Sequence, residues 1–494
     1  MMRRENILSK IIWGASALFH DAGLSVIKDG KIVFGAHAER YSGVKHDKHL
    51  NQKIIDEALT YGKPDVVAWY EKPWKKNIRK MISGEWHYVG FEGSPAKYMQ
   101  QFGVTAPLKT FDHHYSHAAA GAFTNPKNMG TVVVLDAIGE FITCSVWEYD
   151  DRKGLKHLYN SKYPHSFGLL YSAFTKRCGL RPMDEEYITM GMAGWGKPIY
   201  KNRIKNDFIE SYHPFVMKKN VHEGLGDYLP GADVMDIAAS IQAVAEEFIV
   251  EYTKEAMAKT NYANNHLIYQ GGVALNCVAN SNIFGHADSV WIMPNPGDCG
   301  SSLGAALAEH GRRVKWSGPY IGTNIPNPYP VDAIITELNT NKIVGVASGR
   351  AEFGPRALGH RSLLADPRGP EIKDQVNAIK RRQKFRPFAP AILKEHVNEY
   401  FDICTDDSPY MQFVGVCKKP KEFPAIIHVD GTSRVQTVGK DDSTGFRQLL
   451  ETWYEKTGCP ILLNTSLNIR GEPMVNTRED ADRFESKYGI KVCS

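Results

Sequence analysis

No hydrophobic run in this sequence is long enough to cross a membrane. The apolar stretches TVVVLD (131–136) and KIVGVAS (342–348) are short, whereas a membrane-spanning helix needs about 20 apolar residues. The N-terminus, MMRRENILSKIIWGAS, is basic and then briefly apolar, and it lacks the small-residue pattern of a cleavage site. We therefore predict a protein that is neither embedded in a membrane nor secreted.

The sequence also has no paired cysteines and no strong net charge. Its eight cysteines are scattered without a CxxC spacing, which argues against a disulfide framework or a thiolate zinc site and favours a reducing, cytoplasmic setting. A net charge of +5 over 494 residues is only mildly basic. Lys and Arg cluster in KPWKKNIRK (72–80), which we interpret as a solvent-exposed face, and in IKRRQKFR (379–386).

The sequence does contain a repeated pattern of strands. LSVIKDGKIVFGAHAE (24–39) alternates apolar and polar residues around Asp29–Gly30, a strong short-range hairpin signal. The segment from 131 to 159 repeats this plan, with a strand that ends at Asp136 and two further strands. Such a duplication, with helices after each unit, is the plan of the actin-like ATPase and sugar-kinase folds. We therefore expect a duplicated α/β fold with a nucleotide in the cleft.

The length of the chain predicts two main domains. The composition, 43% hydrophobic and 23% charged, is that of a folded globular protein. The segment 317–331 is rich in Pro, Gly and Asn and has no periodicity, so we interpret it as a linker. The predicted domains are residues 1–318 and 332–494. A long helix is expected at 236–260 in the first, and several β-rich segments in the second.

A candidate metal site begins in the segment TFDHHYSHAAAGAF (110–123). His113 and His117 stand four apart, so on a helix both imidazoles project from one face. His114 and His117 are three apart and satisfy the same condition, and buried structural histidines at a helix start are a further interpretation. Asp136 at a strand end and Asp298 before a helix would reach the same crevice. Two His and two Asp favour iron, manganese or zinc with open coordination positions.

Two further patterns indicate anion binding. QGGVALN (270–276) and GDCGSSLGAA (297–306) place glycines where the backbone can approach a phosphate at a helix start. In the second domain, guanidinium, ammonium, hydroxyl and amide donors suit a phosphorylated substrate or a triphosphate. The candidate residues of that second pocket are Arg356, Lys384, Arg386, Arg434, Ser466 and Asn468.

These motifs, in this order, are those of a known family. The chain resembles, over essentially its whole length, the O-carbamoyltransferases of the nodulation-factor, cephamycin and tobramycin type. The motifs that carry the resemblance are HDAGLSVIKDGKI (20–32), ERYSGVKHD (39–47), DHHYSHAAAGAF (112–123), VLDAIGE (134–140), EEYITMGMAGWG (185–196), GGVALN (271–276), GDCGSSLGAA (297–306), EFGPRALGHRSLLADPR (352–368), KFRPFAPAIL (384–393), HVDGTSRVQTV (428–438) and NTSLNIRGEP (464–473).

The resemblance implies a fold and a two-step reaction. It implies an N-terminal domain of the actin-like ATPase kind and a YrdC-like mixed α/β C-terminal domain. The C-terminal domain would form carbamoyl-adenylate from carbamoyl phosphate and ATP, with magnesium accompanying the ATP, and would release phosphate and pyrophosphate. The N-terminal domain would then transfer the carbamoyl group to an acceptor hydroxyl and release AMP.

The resemblance also implies roles for individual residues. His113, His117, Asp136 and Asp298 match a metal site that typically holds iron(II). Gly271, Gly272, Asn276 and Gly300 lie in matching nucleotide loops, and the six second-domain residues named above match the carbamoyl-phosphate and ATP pocket. His20 and Lys45 match positions on the acceptor side. We expect His20 to act as the base or to orient the acceptor, with support from Asp21.

The sequence departs from the family at one position and leaves the acceptor open. Ile188 stands where the family commonly has a lysine. The acceptor is expected to be a sugar-type or antibiotic-type alcohol, and the enzyme a monomer or homodimer. The basic, aromatic-containing segments 72–90 and 201–219 also suit a hydroxymethylated pyrimidine in a nucleotide or in DNA. The N-terminal motifs by themselves would further allow carbamoyl-type transfer to tRNA or to a protein cysteine, or a sugar-kinase activity.

Overall fold

The first of two related five-stranded sheets lies near the N-terminus. The computed structural model describes residues 10–84, 94–383 and 386–494. The strands of this sheet are β1 (Ile11–Ser16), β2 (Gly23–Lys28), β3 (Lys31–His37), β4 (Val66–Trp69) and β5 (Leu108–Thr110). Their order is β3-β2-β1-β4-β5, with β1 to β3 antiparallel and β4 and β5 added in parallel. Asp29 and Gly30 form the predicted turn, at φ of 52° and 72°.

The second sheet repeats this topology. The next strands along the chain are β6 (Met129–Gly139), β7 (Ile142–Asp150), β8 (Gly154–Lys162), β9 (Ile209–Tyr212), β10 (Phe215–Met217), β11 (His266–Gln270) and β12 (Ser289–Trp291). Strands β9 and β10 form a separate hairpin, and the other five pair in the order β8-β7-β6-β11-β12. Here too a three-stranded antiparallel meander is extended by two parallel strands. The predicted internal duplication is therefore confirmed.

Helices fill the space around the two sheets. They are α1 (Glu39–Ser42), α2 (Gln52–Tyr61), α3 (Pro73–Ile82), α4 (Pro95–Gln100), α5 (His113–Thr124), α6 (Phe167–Arg177), α7 (Glu186–Ala193), α8 (Lys201–Phe208), α9 (Val234–Lys259), α10 (Cys277–Ser281) and α11 (Ser301–His310). Helix α9 corresponds to the helix predicted at 236–260. Helix α5 packs on the second sheet, α11 packs on the first, and the two helices pack on each other.

The C-terminal part contains an eight-stranded mixed sheet. Its strands and the neighbouring ones are β13 (Tyr320–Ile325), β14 (Ile343–Ala347), β15 (Gly349–Glu352), β16 (Arg361–Ala365), β17 (Ala389–Leu393), β18 (Phe401–Ile403), β19 (Phe413–Cys417), β20 (Thr432–Val438), β21 (Ile461–Ser466) and β22 (Val492–Cys493). The order is β18-β19-β20-β17-β21-β16-β14-β22. Two hydrophobic clusters form its core.

Five helices flank this sheet, and one strand lies where the sequence predicts a linker. The helices are α12 (Val331–Asn341), α13 (Ile372–Ile379), α14 (Val397–Tyr400), α15 (Phe446–Thr457) and α16 (Arg478–Tyr488). Strand β13 lies within 317–331 and pairs with β15, so part of the predicted linker is a paired strand. Within it only Ile321, Gly322 and Ile325 are buried, so no regular alternation marks the strand among the prolines. Among the described residues, no helix combines the length and the hydropathy of a membrane span.

Candidate active site

Two histidines and two aspartates converge where α5 meets the second sheet. The Nε2 atom of His113 lies 3.1 Å from Nε2 of His117 and 3.2 Å from a carboxylate oxygen of Asp136. Oδ1 of Asp298 lies 3.4 Å from Nε2 of His113 and 3.3 Å from Nε2 of His117. All four residues are buried. The structure thus brings together the four predicted metal ligands.

Local structure explains why these four side chains meet. Asp112 caps α5, and His113 and His117 follow one turn apart. Asp136 lies in β6 at an interruption of its pairing with β7, between Leu135 and Gly139, so its carboxylate leaves the regular sheet face. Asp298 begins the short turn that precedes α11. Three separate chain segments therefore deliver donors to one point.

His114 lies outside this cluster. Its Nδ1 atom is 2.9 Å from Oγ of Ser145 in β7, and its ring is fully buried. Burial and the nearby His113 hold the pKa of His114 well below its ordinary value. The alternative pairing of His114 with His117 is therefore not the one that the fold assembles.

The charges of the cluster fit a cation. Burial alone would raise the pKa of both carboxyls, but the neighbouring imidazoles lower it, to about 2 for Asp136 and well below the usual range for Asp298. Oδ1 of Asp136 accepts a hydrogen bond from the backbone N–H of Gly272, at 3.1 Å. Oδ2 of Asp298 has no hydrogen-bond partner among the described residues. A set of two imidazoles and two carboxylates with a spare oxygen suits a divalent transition metal.

The predicted nucleotide loops divide into two groups. Gly272 and Asn276 line a cavity beside the cluster. Gly271 and Gly300 are required by packing, because a Cβ atom would lie 2.1 Å from the carbonyl oxygen of Leu135 at Gly271 and 1.7 Å from that of Asn295 at Gly300. The amide of Asn276 caps α10 and pairs with Gln242.

This cavity, of about 540 Å³, connects the cluster with the C-terminal sheet. One end is lined by His20, Asp136 and Asp298, and the other by cations and polar groups. Five of the six predicted second-pocket residues line the cationic end, namely Arg356, Arg386, Arg434, Ser466 and Asn468. The sixth, Lys384, lies outside the described residues.

Lys380 contacts Ser466 and Asn468, the two polar residues that the sequence analysis placed in one pocket with Lys384. Its Nζ donates to Oγ of Ser466, at 3.2 Å, and to Oδ1 of Asn468, at 2.9 Å. Burial and the nearby Arg382 and Arg386 hold the pKa of Lys380 well below its ordinary value. The sequence contained a signal that could have identified Lys380, because Lys380 and Arg382 stand two residues apart, as Lys384 and Arg386 do.

The arginines at this end are buried together. Arg382 donates to neutral partners, the side chain of Asn377 and the carbonyl of Pro387. Burial and the charge of Arg434 lower the pKa of Arg356 to about 9. Like charges that lower one another's pKa inside a cavity are costly unless an anion binds there. The cationic end therefore has the chemistry of a polyphosphate or adenylate site.

The three predicted residues of the acceptor side lie in one hydrogen-bonded region. Nδ1 of His20 is 3.1 Å from Oδ2 of Asp21, and Nε2 of His20 is 3.7 Å from Oδ2 of Asp298. Burial opposes the charged imidazole, but Asp298 and Asp21 raise the pKa of His20 to about 9. Lys45 donates to both oxygens of Glu39, at 2.8 and 2.9 Å. His20 is thus the member that faces the cluster of two histidines and two aspartates.

Two family models together match most of the chain. The family model described as "Carbamoyltransferase N-terminus" matches residues 92–307, and that described as "Carbamoyltransferase C-terminus" matches residues 335–493. The chain belongs to the carbamoyltransferase family. The resemblance predicted from the motifs is therefore confirmed, and the protein is a transferase.

Three curated relatives of this carbamoyltransferase cover most of its length. The uncharacterized protein sll1178 of Synechocystis is 31% identical, over 96% of the chain and 93% of the relative. Nodulation protein NolO of Bradyrhizobium diazoefficiens is 30% identical, over 75% of each protein. The 3'-hydroxymethylcephem-O-carbamoyltransferase of Amycolatopsis lactamdurans is 27% identical, over 95% of each.

Solved structures resemble the carbamoyltransferase more distantly. HypF of T. kodakarensis aligns with 62% of the chain and 48% of its own length, at 14% identity and a TM-score of 0.37. The similarity is weak. The duplicated fold is therefore assigned from the matching strand order of the two five-stranded sheets.

Ile188 marks the departure from the family motif. Its side chain is buried in the core beneath the second sheet and borders the cavity. An apolar side chain therefore lines the cavity at the position where the family commonly carries a positively charged lysine.

Proposed function

We propose that this carbamoyltransferase is an ATP-dependent O-carbamoyltransferase that works through carbamoyl-adenylate. The observation that carries the proposal is the shared cavity, which connects a buried His/Asp cluster with a buried cationic pocket. A reaction with an adenylate intermediate needs both chemistries, since one end must bind phosphates and the other must promote transfer. An intermediate formed at the cationic end could reach the cluster without leaving the protein.

The first step is assigned to residues 332–494, which we propose to be a YrdC-like domain. Water releases phosphate from carbamoyl phosphate, and the resulting carbamate oxygen attacks the α-phosphorus of ATP, so that pyrophosphate leaves. Arg356, Arg386 and Arg434 would bind the phosphates. Lys380, whose ammonium group contacts the side chains and the backbone carbonyls of Ser466 and Asn468, would hold these two residues in place.

The second step is assigned to residues 1–318. His113, His117, Asp136 and Asp298 would hold a divalent metal, which we propose to be iron(II) as in the relatives that the motifs resemble. When bound, the metal supplies Lewis-acid polarisation of an oxygen and charge stabilisation for the departing AMP. Nε2 of His20 faces Asp298, whose charge raises the pKa of the imidazole; with Asp298 bound to a cation, that effect would be offset and Nε2 would accept the proton of the acceptor hydroxyl, while Asp21 orients the ring. The acceptor oxygen then bonds to the carbamoyl carbon, and AMP leaves.

The acceptor is proposed to be a sugar-type or antibiotic-type alcohol. Both basic segments that suggested an anionic acceptor are largely paired internally. Lys72 and Lys75 contact Asp112, and Lys201 and Lys205 contact Glu247. Paired lysines attract a polyanion weakly. A hydroxymethylated pyrimidine acceptor is therefore the second candidate.

Pyrophosphate release tests the first step. Wild-type protein with iron(II), magnesium, ATP and carbamoyl phosphate should release pyrophosphate, and omission of carbamoyl phosphate should abolish the release. Lys380→Met should reduce the rate about 10- to 100-fold, because hydrogen bonds to charged groups contribute about 1.5–3 kcal/mol. Lys456→Met, at an exposed position, is the control. The proposal fails if the wild-type protein releases no pyrophosphate.

An acceptor screen tests the second step. Mass spectrometry across a panel of amino sugars, neutral sugars and hydroxymethylpyrimidine nucleosides and oligonucleotides should detect the gain of one carbamoyl group. We expect the gain on sugar-type alcohols. Modification confined to the pyrimidines would replace our assignment with the second candidate.

A further inference from the structure

We propose that His46 is a positioning residue that fixes His20 through Asp21. The inference deepens the proposed function, on which its kinetic test rests. Asp21 uses both carboxylate oxygens, with Oδ2 at 3.1 Å from Nδ1 of His20 and Oδ1 at 2.7 Å from Nδ1 of His46. Nε2 of His46 lies 2.8 Å from Oδ1 of Asp184. The side chains of His20, Asp21, His46 and Asp184 thus form a continuous chain that ends at the metal-ligand cluster.

The backbone at both inner members of this chain is held in an uncommon conformation. Asp21 has φ of 51° and His46 has φ of 56°, in the left-handed region that non-glycine residues seldom adopt. Asp and His tolerate this region better than most residue types, and the conformation persists where the surroundings enforce it. Here the N–H of Ala22 donates to the carbonyl of Asp47, at 2.8 Å. The N–H of His46 donates to Glu39, at 2.9 Å.

Asp184 anchors the far end of the chain. Its other oxygen, Oδ2, is 2.8 Å from a guanidinium nitrogen of Arg181. The next residue, Glu185, pairs with Arg470 of the C-terminal part, at 3.2 Å. His46 therefore lies between a loop of the first sheet unit and a loop that is braced internally by Arg181 and fixed to the C-terminal part by Arg470. An imidazole held from both sides can hold the Asp21 carboxylate in one orientation.

Two other roles for His46 compete with this one. Asp21, Glu39 and His46 could bind a cation together, but the ammonium group of Lys45 already bonds both oxygens of Glu39. His46 could instead serve only as a bridge between the two loops through Asp184. The two ring nitrogens separate these roles, because Nδ1 contacts Asp21 and Nε2 contacts Asp184.

Asparagine and glutamine substitutions test the two nitrogens one at a time. His46→Asn places an amide nitrogen near the position of Nδ1 and keeps the contact with Asp21. His46→Gln places it near the position of Nε2 and keeps only the contact with Asp184. His49→Gln, at an exposed position of the same loop, is the control.

The expected kinetic result is a difference between the two variants in the transfer step. With iron(II), ATP, carbamoyl phosphate and an alcohol from the screen, His46→Gln should lower kcat for carbamoyl transfer about 10- to 100-fold, the usual loss when an orienting partner is removed. The KM for the acceptor should change little, and His46→Asn should restore most of kcat. A kcat lower in His46→Asn than in His46→Gln, or equal in both, would overturn the positioning role.

Two measurements separate failure of this inference from failure of the proposed function. Pyrophosphate release should be the same in both variants and in wild-type protein, because His46 bonds to Asp21, Asp184 and Glu39 and to none of the described arginines of the cationic end. In protein labelled with 15N-histidine, the hydrogen-bonded Nδ1 proton of His20, assigned from a His20→Gln sample, should persist in His46→Asn and broaden in His46→Gln. This signal needs no acceptor, and its persistence in both variants would also overturn the proposal.

Discussion

Three histidines stand within five positions at the start of α5, and their surroundings give them different roles. Successive residues of a helix are rotated by about 100°, so His117 can share a face with either His113 or His114. In the structure His113 and His117 point at Asp298, whereas His114 reaches Ser145 in β7. The spacing of the histidines allowed two pairs of candidate ligands, His113 with His117 or His114 with His117. Only the positions of Asp136 and Asp298 in the fold favour the first pair.

This difference predicts the effect of removing each ring. His113→Ala should lose bound iron(II), because it removes one of four ligands, whereas His114→Ala should retain it. His114→Ala should instead lower the free energy of unfolding by about 1–3 kcal/mol, because it removes a buried hydrogen bond to Ser145 and opens a cavity. Metal content after anaerobic reconstitution and urea denaturation measure the two effects. Equal loss of metal from both variants would contradict the assignment.

Lys380 lines the cavity, but the sequence analysis did not predict it as a site residue. The segment IKRRQKFR offers two pairs of cations at the same two-residue spacing. The sequence favours neither pair, because both satisfy the alternation of an extended segment. The contact of Lys380 with Ser466 and Asn468 depends on β21, more than 80 residues away along the chain.

At the scale of elements, the crossing of α5 and α11 positions the cluster of two histidines and two aspartates that is the candidate metal site. Helix α5 carries His113 and His117, and the turn before α11 carries Asp298. The helices approach so closely that a Cβ atom on Gly304 would lie 1.9 Å from the carbonyl oxygen of Ser116. The small residues that follow His117 make a similar approach possible on the sheet side, where Gly121 meets Gln270 and Ile268.

The helix crossing predicts a strong effect of one methyl group. Gly304→Ala should destabilise the protein by about 1–3 kcal/mol, because the backbone of α5 must move to admit the Cβ atom. The same movement should weaken metal binding by shifting the imidazoles relative to Asp298. Gly285→Ala is the matched control, since a Cβ atom there meets nothing within 4 Å. Urea denaturation and iron(II) titration test the pair, and similar behaviour of both variants would contradict the argument.

At the scale of the whole molecule, the duplicated sheets and the eight-stranded sheet enclose one cavity. The sheets have their own hydrophobic cores, yet residues from all three regions line the cavity. Side-chain and backbone bonds join the regions, as between Arg40 and the carbonyl of Gly354 and between Asn295 and His37. The proposed passage of an adenylate between two sites depends on this arrangement.

A buried histidine of the second sheet predicts how stability depends on pH. His266 contacts Ser289 and Asn125, and burial together with the charge of Lys127 lowers its pKa to about 4. Between pH 6.5 and 4 the unfolded chain therefore binds this proton and the folded chain does not. Stability should fall as the pH falls through this window, by about 3 kcal/mol from this group.

Comparison of His266→Gln with wild-type protein isolates that contribution. The amide keeps a polar partner for its neighbours but does not titrate. Denaturation by urea between pH 4 and 7 should give a shallower loss of stability in the variant. Parallel pH profiles for the two proteins would show that His266 does not titrate differently on folding.

Local patterns in the chain were sufficient to predict the family, the duplicated strands and the residue types of both sites. They include the Asp29–Gly30 turn, the four-residue spacing of His113 and His117, and motifs that stay contiguous in the chain. Three features emerged only from the folded molecule. Strand β13 forms in the apparent linker, Lys380 holds Ser466 and Asn468, and His46 contacts Asp21. The physical reason is that each of these depends on burial or on partners distant in sequence, which no local pattern encodes.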